Sequence, residues 1–328
     1  MNEFLAGILK GINSVVQNYG WSMIIFTLFI KLIILPLDYK SRKSMRRMTK
    51  LQPEMTRLQK KYANDKEKLN QKTAELYRKE GVSPMSGCLP MLVSMAILWI
   101  MFDAMRLVAN TELANQAVEL LTTGTQHNEG WLWIKNIWMP DSPFNSTFAN
   151  SNVLKMIPAN IWSKVYTGFS GNADVIAKLS EFGIDAATIS GDSIFAALQT
   201  LPVYVEETAL SPVLPYVNLL ITRVNIYLNN NGLFILPVLA ALTQYFMTVT
   251  QSKDQPAPAE GQQAGTGAFM KYFFPLFSLW ICSSYNAIFS LYWVVGNLFA
   301  WAETVILNRI FEKNDKNQQN KPEGDGLK

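Results

Sequence analysis

Lys31 interrupts an apolar run, Thr27-Leu-Phe-Ile-Lys31-Leu-Ile-Ile-Leu-Pro36-Leu. A charge in hydrocarbon costs about 2.5–3.5 kcal/mol on insertion scales, so one kept there points to a polar path through a membrane. The bland alternative is snorkelling: six residues, about 9 Å of helix, separate Lys31 from Leu37 and the nearer interface. Glu303 sits at a similar depth in the last apolar run, where a carboxylate must protonate or find a cation. Lys31 and Arg309 are the two cations that spacing offers it. Hydrolytic chemistry has weaker support. Gly191-Asp192-Ser193-Ile194 spells a short serine-hydrolase string, but that nucleophile needs a histidine base, and the single histidine, His127, lies upstream. A four-residue string of this kind reads as a chance match. A Ser/Lys pair would need a serine packed on Lys31, and Ser22, Ser94, Ser278 and Ser290 carry no motif around them. Cys88 and Cys282 open and close different apolar runs about 30 Å apart, too far to bridge. With one histidine and two cysteines, neither a Cys/His metal site nor a cofactor is expected.

The elements that must position these residues are membrane helices. Only 16% of the 328 residues are charged, against about 25% in soluble proteins. The mean hydropathy of +0.08 averages apolar and very polar stretches. A transmembrane helix needs roughly 20 mostly apolar residues. Five stretches qualify by length or composition: 21–37, 84–106, 232–250, 268–282 and 287–306, the last two joined by Ser283-Ser-Tyr-Asn286. Residues 38–81 carry 14 basic and 6 acidic residues, whereas Leu107–Asn231 carries 5 and 10. The bias of Lys and Arg to the cytoplasmic side predicts an outer N-terminus and an inner C-terminus, with a basic tail over 307–328.

Three further segments have their own order. Residues 1–20 carry an apolar stripe (Phe4, Leu5, Ile8, Leu9, Ile12, Val15 and Val16) and predict an amphipathic helix in the outer interface rather than a cleaved signal. Within 38–83, Met45, Met48, Leu51, Met55, Leu58 and Tyr62 recur every three or four residues; Pro53 should kink or restart that helix. Asn64 with Glu67 fits a capping box opening a second helix, bearing Leu69, Leu76 and Tyr77, so the segment predicts a basic helical hairpin that binds partners. In the outer loop 107–231, candidate helices cover Ala173–Glu181, Ile194–Leu201 and Tyr216–Leu228. A short loop, 251–267, joins the third and fourth spans.

Several stretches together carry a family resemblance. Lys31-Leu-Ile-Ile-Leu-Pro36-Leu, Met45-Arg-Arg-Met48-Thr-Lys-Leu-Gln-Pro53-Glu and Leu76-Tyr-Arg-Lys-Glu-Gly81-Val-Ser-Pro84-Met-Ser-Gly87-Cys-Leu-Pro90 resemble the YidC family of membrane protein insertases. Trp131-Leu-Trp-Ile…Pro140-Asp-Ser-Pro143, Ile235-Leu-Pro237-Val-Leu-Ala-Ala-Leu-Thr-Gln and Leu291-Tyr-Trp293-Val-Val-Gly-Asn297 are similar to it in the same order. The resemblance covers roughly 1–143 and 232–312. It implies an all-α membrane protein whose five transmembrane helices enclose a hydrophilic groove, open to cytoplasm and lipid and closed to the outside. It puts Lys31 and Thr27 in that groove, and matches Tyr292 and Trp293 to aromatic positions of the last span. Lys31 stands where the family more often has arginine, which keeps the charge and loses the bidentate fork. Glu303 stands where relatives often carry glutamine. The Pro-x-Gly before the last span is absent, and residues 144–231 are an insertion without a family role.

The implied function is insertion and folding of other membrane proteins, without covalent chemistry or cofactor. A groove lined by Lys31, Thr27, Tyr292, Trp293 and Glu303 would receive the polar flanks of client helices, which then leave sideways into the lipid bilayer. Nascent membrane proteins are the expected clients. The ribosome and targeting factors would meet the basic hairpin and tail, and the Sec translocon is a further candidate partner. The rival reading is an ion-coupled transporter or channel, which usually shows two corresponding halves with broken helices; the sequence offers none.

Overall fold

The computed structural model describes residues 2–81, 89–219, 222–252 and 265–319. The expected start of the second span, including Pro84, Gly87 and Cys88, most of the loop 251–267, and Lys321 and Lys328 of the tail lie outside the described residues, as does the side chain of Ser94. The described chain is mostly helical. Its contacts separate it into two compact units, one of residues 1–27, 97–240 and 278–293, the other of 28–96, 241–277 and 294–328.

In the first unit, α1 (Asn2–Val16) buries Leu9 of its apolar stripe together with Ala6, whereas Phe4 and Val15 of the stripe are exposed. Gln17 takes φ of 57° and ends it. Asn18 then opens α2 (Tyr19–Lys50): its Oδ1 accepts from the N–H groups of Gly20 and Trp21 at 3.1 and 3.2 Å, satisfying two orphan donors of the first turn. The helix α5 (Leu89–Thr123) runs seventeen residues past the expected end of the second span at 106. The reason is that the stretch beyond 106 is rich in Ala and Leu and packs Val108, Leu113, Val118 and Leu120 into the core of this unit, which holds it helical past the apolar run. The tight packing of this unit gathers Met101, Met105, Val108, Leu120, Ile137, Met139, Leu154, Trp162, Leu179 and Leu198, all nearly inaccessible.

Among its described residues the insertion forms five short helices and a pair of strands: α6 (Ser151–Lys155), α7 (Ala159–Phe169), α8 (Ala173–Glu181), α9 (Gly191–Leu198), α10 (Pro202–Glu207), β1 (Tyr216–Leu219) and β2 (Thr222–Asn225). The helix α8 occupies the expected residues. The expected helix 194–201 is instead α9, which starts at Gly191 and ends three residues earlier, because Pro202 opens α10. The expected helix 216–228 is overturned. Tyr216 pairs with Asn225, Val217 with Val224 and Asn218 with Arg223 in an antiparallel ribbon. β-Branched and aromatic residues favour the pleated form over the helix here. The Arg223 guanidinium lies 3.2 Å from the centre of the Tyr216 ring and covers one face of the ribbon.

The second unit holds α3 (Gln52–Lys61) and α4 (Lys66–Lys79), which pack side by side. Pro53 sits in the first turn of α3, where its missing N–H costs nothing, so the chain restarts there after α2 ends at Lys50. Capping of α4 differs from the Asn64–Glu67 box: Asp65 is the cap, its Oδ1 accepting from Lys68 N–H at 3.0 Å. Neither helix of this hairpin has a buried residue. The remaining long helices are α11 (Ile235–Ser252), α12 (Gly265–Ser284) and α13 (Ala287–Gln319). Among the described residues, α2 and α13 are the two helices long and apolar enough, by length and composition, to cross a membrane.

Candidate functional site

The site grows from one face of α2. Lys31, Asp38 and Arg42 are separated by seven and four residues, and at 100° per residue these intervals return to the same side of the helix. All three are half-buried in the second unit. The side chain of Lys31 lies along α13 at Gly296, where a Cβ would stand 3.8 Å from Lys31 Cε. Seven residues further along α13, Glu303 Oε1 lies 3.7 Å from Arg42 Nε, with Glu303 only 4% and Arg42 21% exposed. Lys31, Asp38, Arg42 and Glu303 interact electrostatically as one group, two cations against two carboxylates. Spacing offered Glu303 two cations, Lys31 and Arg309. Its ion-pair partner is a third, Arg42, from a segment read only as the start of the basic arm.

Around these charges the second unit buries other polar groups. Asn297 Nδ2 donates to Thr243 Oγ1 at 3.3 Å, and Gln244 Nε2 to Thr248 Oγ1 at 3.3 Å. Thr304 is fully buried. The same unit exposes large apolar side chains: Phe29, Leu32, Ile33, Leu242, Phe246, Phe269, Leu276, Leu298 and Ile306. A polar interior beneath an apolar exterior inverts the soluble pattern and suits a lipid surround.

Further along the same pair of helices, Arg46 donates through Nε and Nη2 to Asp315 Oδ2 at 3.2 and 3.0 Å, and Lys50 to Asp315 Oδ1 at 2.6 Å. The Tyr39 and Phe311 rings are 5.5 Å apart. Contacts that advance from Lys31 and Gly296 to Lys50 and Asp315 mean that α2 and α13 run in the same direction within this unit.

The first unit holds the other expected residues. Thr27, one turn before Lys31 on α2, is fully buried, and its hydroxyl donates to the Met23 carbonyl at 2.7 Å. Tyr292 is buried, and Trp293 packs at a tilt on Phe289 with ring centres 5.6 Å apart, Phe289 in turn packing on Phe102. Trp293 Nε1 is buried without a hydrogen-bond partner among the described residues. Several of the groups named for hydrolytic chemistry make local hydrogen bonds. Ser22 Oγ is within 2.7 Å of the Asn18 carbonyl and Ser290 Oγ within 3.0 Å of that of Cys282. Ser193 closes the capping box of α9 with Ser190, while His127 pairs with Glu119.

Sequence reasoning missed the polar knot that shapes the first unit. Asp141, fully buried, accepts at Oδ1 from Leu233 and Phe234 N–H and at Oδ2 from Leu236 N–H and Trp133 Nε1, so it caps the start of α11. Gly232 is required there by close approach, since a Cβ would collide with that carboxylate. Asn136 and Asn231, also fully buried, bond to each other across the loop. The signal was the cluster 131–143 itself, a short outer stretch dense in Trp, Asn and Pro.

The sequence is similar to those of known proteins. The family model described as "60Kd inner membrane protein" matches residues 11–315. The chain belongs to that family. Among proteins similar to this member, the "Membrane protein insertase YidC" of Fusobacterium nucleatum is 50% identical over 106 residues, 32% of this chain and 52% of the relative. The proteins of the same name from Chlorobaculum tepidum and Anaeromyxobacter dehalogenans are 38% and 34% identical over 141 and 137 residues. Those matches take in 43% and 42% of this chain and 21% and 22% of the relatives. The chain thus spans about half the length of the first of these relatives and about a fifth of the other two. The match of the whole family runs through the insertion 144–231, which the residue-level resemblance had set aside.

Proposed function

We propose that this protein is a membrane protein insertase that passes the polar flanks of client helices along a hydrophilic groove in the bacterial plasma membrane. Five crossings, over 21–37, 84–106, 232–250, 268–282 and 287–306, place the N-terminus outside and the C-terminus in the cytoplasm. The parallel run of α2 and α13 supports this count, since a first and last span in the same direction require an odd number of crossings. The observation that carries the reading is Lys31, half-buried on α2 beside Gly296 of α13 and within reach of the charges of Asp38 and Glu303, in an otherwise lipid-compatible unit.

The physics is that of a lowered barrier. A client's apolar segment already favours the bilayer, whereas its flanking charges and unpaired backbone groups do not. A polar cleft partway across gives those groups dipoles and a cation to exchange for water, so the transient cost falls without any covalent step. Once the flank has crossed, the apolar segment leaves sideways, because lipid accommodates it at least as well as the cleft does. The helical hairpin α3–α4 and the basic tail would meet nascent chains, targeting factors and the ribosome, as closely spaced Lys and Arg bind polyanions in a salt-sensitive way. A Sec channel is a further candidate partner.

The test is a proteoliposome assay that scores client insertion and solute flux together. Purified protein should insert a single-span client with an acidic translocated tail; Lys31→Arg should retain this and Lys31→Leu should reduce it. Ion-coupled solute flux without client insertion would overturn the reading in favour of a transporter.

A further inference from the structure

The Arg42–Glu303 pair is peculiar in its geometry. At 3.7 Å it is an ion pair without a hydrogen bond, and Glu303 Oε1, buried, has no hydrogen-bond partner among the described residues. A buried carboxylate oxygen left without a donor forfeits much of the stabilisation that a close, bidentate guanidinium contact supplies. Yet the Arg42 side chain is one-fifth exposed while that of Glu303 is nearly sealed, so Arg42 is the more open member of the pair. Arg42 also shares its face of α2 with Lys31, eleven residues or about 16 Å away, with Asp38 between them. No expectation from spacing or from the family resemblance gave Arg42 a role.

We infer that Arg42 is a specificity-determining residue of the insertase, an entry station that takes a client carboxylate in exchange for Glu303 before that carboxylate reaches Lys31. This rests on the insertase reading. Glu303 serves as a resident counter-ion: it keeps the entry neutral when empty and is held loosely enough to be replaced. A client carboxylate that makes the direct hydrogen bonds Glu303 lacks gains by the exchange. Neutral flanks gain nothing there and pass without it. The charge order along α2, Lys31 then Asp38 then Arg42, also keeps the two stations distinct, because Asp38 repels a carboxylate that lingers between the two cations.

The experiment uses the full chain in proteoliposomes with two clients that differ only in an acidic or a neutral translocated tail, and reads the ratio of their insertion by the same preparation. A ratio cancels differences in the amount of folded protein. Arg42→Gln should lower the acidic-to-neutral ratio several-fold and Arg42→Lys should largely restore it. Glu303→Gln should raise the ratio when Arg42 is present and leave it unmoved in the Arg42→Gln background. An unchanged ratio in Arg42→Gln, or a Glu303→Gln effect of the same size with and without Arg42, overturns the inference. If Lys31→Leu shifts the ratio and Arg42→Gln does not, the insertase reading stands and the entry station alone falls. If wild-type protein inserts neither client, both fall.

Discussion

Asn231 and Asn136, 95 residues apart, hold one another as two paired strands would: the Asn136 N–H donates to Asn231 Oδ1 at 2.8 Å, and Asn231 Nδ2 donates to the Asn136 carbonyl at 2.8 Å. Asn231 Nδ2 also lies 3.1 and 2.9 Å from the carbonyls of Met139 and Pro140. One side chain thus satisfies the backbone of a fully buried turn and ties the far end of the insertion to the start of α11.

Removing it should be costly. Asn231→Leu takes the partner from the Asn136 N–H and the Pro140 carbonyl, at about 1–3 kcal/mol each, so a loss of about 3 kcal/mol is expected. For a unit of this size that corresponds to roughly 6–12 °C in Tm. Thermal unfolding in detergent should show it, with the exposed Lys164→Ala as a control that does not move.

Gly232 and Asp141 act as one cap. Gly232→Ala should push the Asp141 carboxylate off the N–H groups of Leu233, Phe234 and Leu236, at about 1–2 kcal/mol, the range for losing a helix cap. Asp141→Asn should cost a similar amount. The double variant should cost less than the sum, because both changes break the same bonds; strict additivity would separate the two residues.

Glu112 lies on the part of α5 beyond the proposed span, and burial raises its pKa above the ordinary carboxylate value. Lys10 of α1 and its hydrogen bonds to Asn115 and Tyr19 oppose that rise, while Glu129 adds to it. The sign follows. A raised native pKa means that folding disfavours the ionised form, so the cost is absent below the unfolded pKa and grows as pH rises through the window up to the native value. Glu112→Gln should therefore raise Tm at neutral pH, and the gain should shrink to nothing as the solution is acidified below about pH 4. A gain independent of pH would mean that charge is not the cause.

Asp315 fastens the end of α13 to α2 through Arg46 and Lys50, all three partly exposed. Exposed pairs contribute only about 0.2–1 kcal/mol, so Asp315→Ala should leave Tm nearly unchanged. The local effect should be larger: tryptic cleavage after Lys313 and Lys316 should speed up several-fold as the last turns fray. Added salt should speed cleavage of the wild type and narrow the difference.

The sequence by itself determined the two long apolar helices α2 and α13, the lysine that interrupts the apolar run of the first, and the basic segment that follows it, because these depend on composition and on periods of three or four residues that any local window contains. It also located Pro53 as the restart of α3 and residues 173–181 as a helix. Tertiary structure decided the rest. A strand ribbon replaced the expected helix over 216–228, since pairing of Val217 with Val224 is a contact that no helical period reveals. The long helices outran their apolar cores, since helix propensity and packing continue where hydropathy stops. Above all, the partner of Glu303 depended on which side chain of α2 reaches α13: Lys31 and Arg309 were reasonable by depth, but the geometry placed Arg42 at 3.7 Å. Charge pairing acts over a few ångströms in three dimensions, and a separation of 261 positions in the chain carries no information about it.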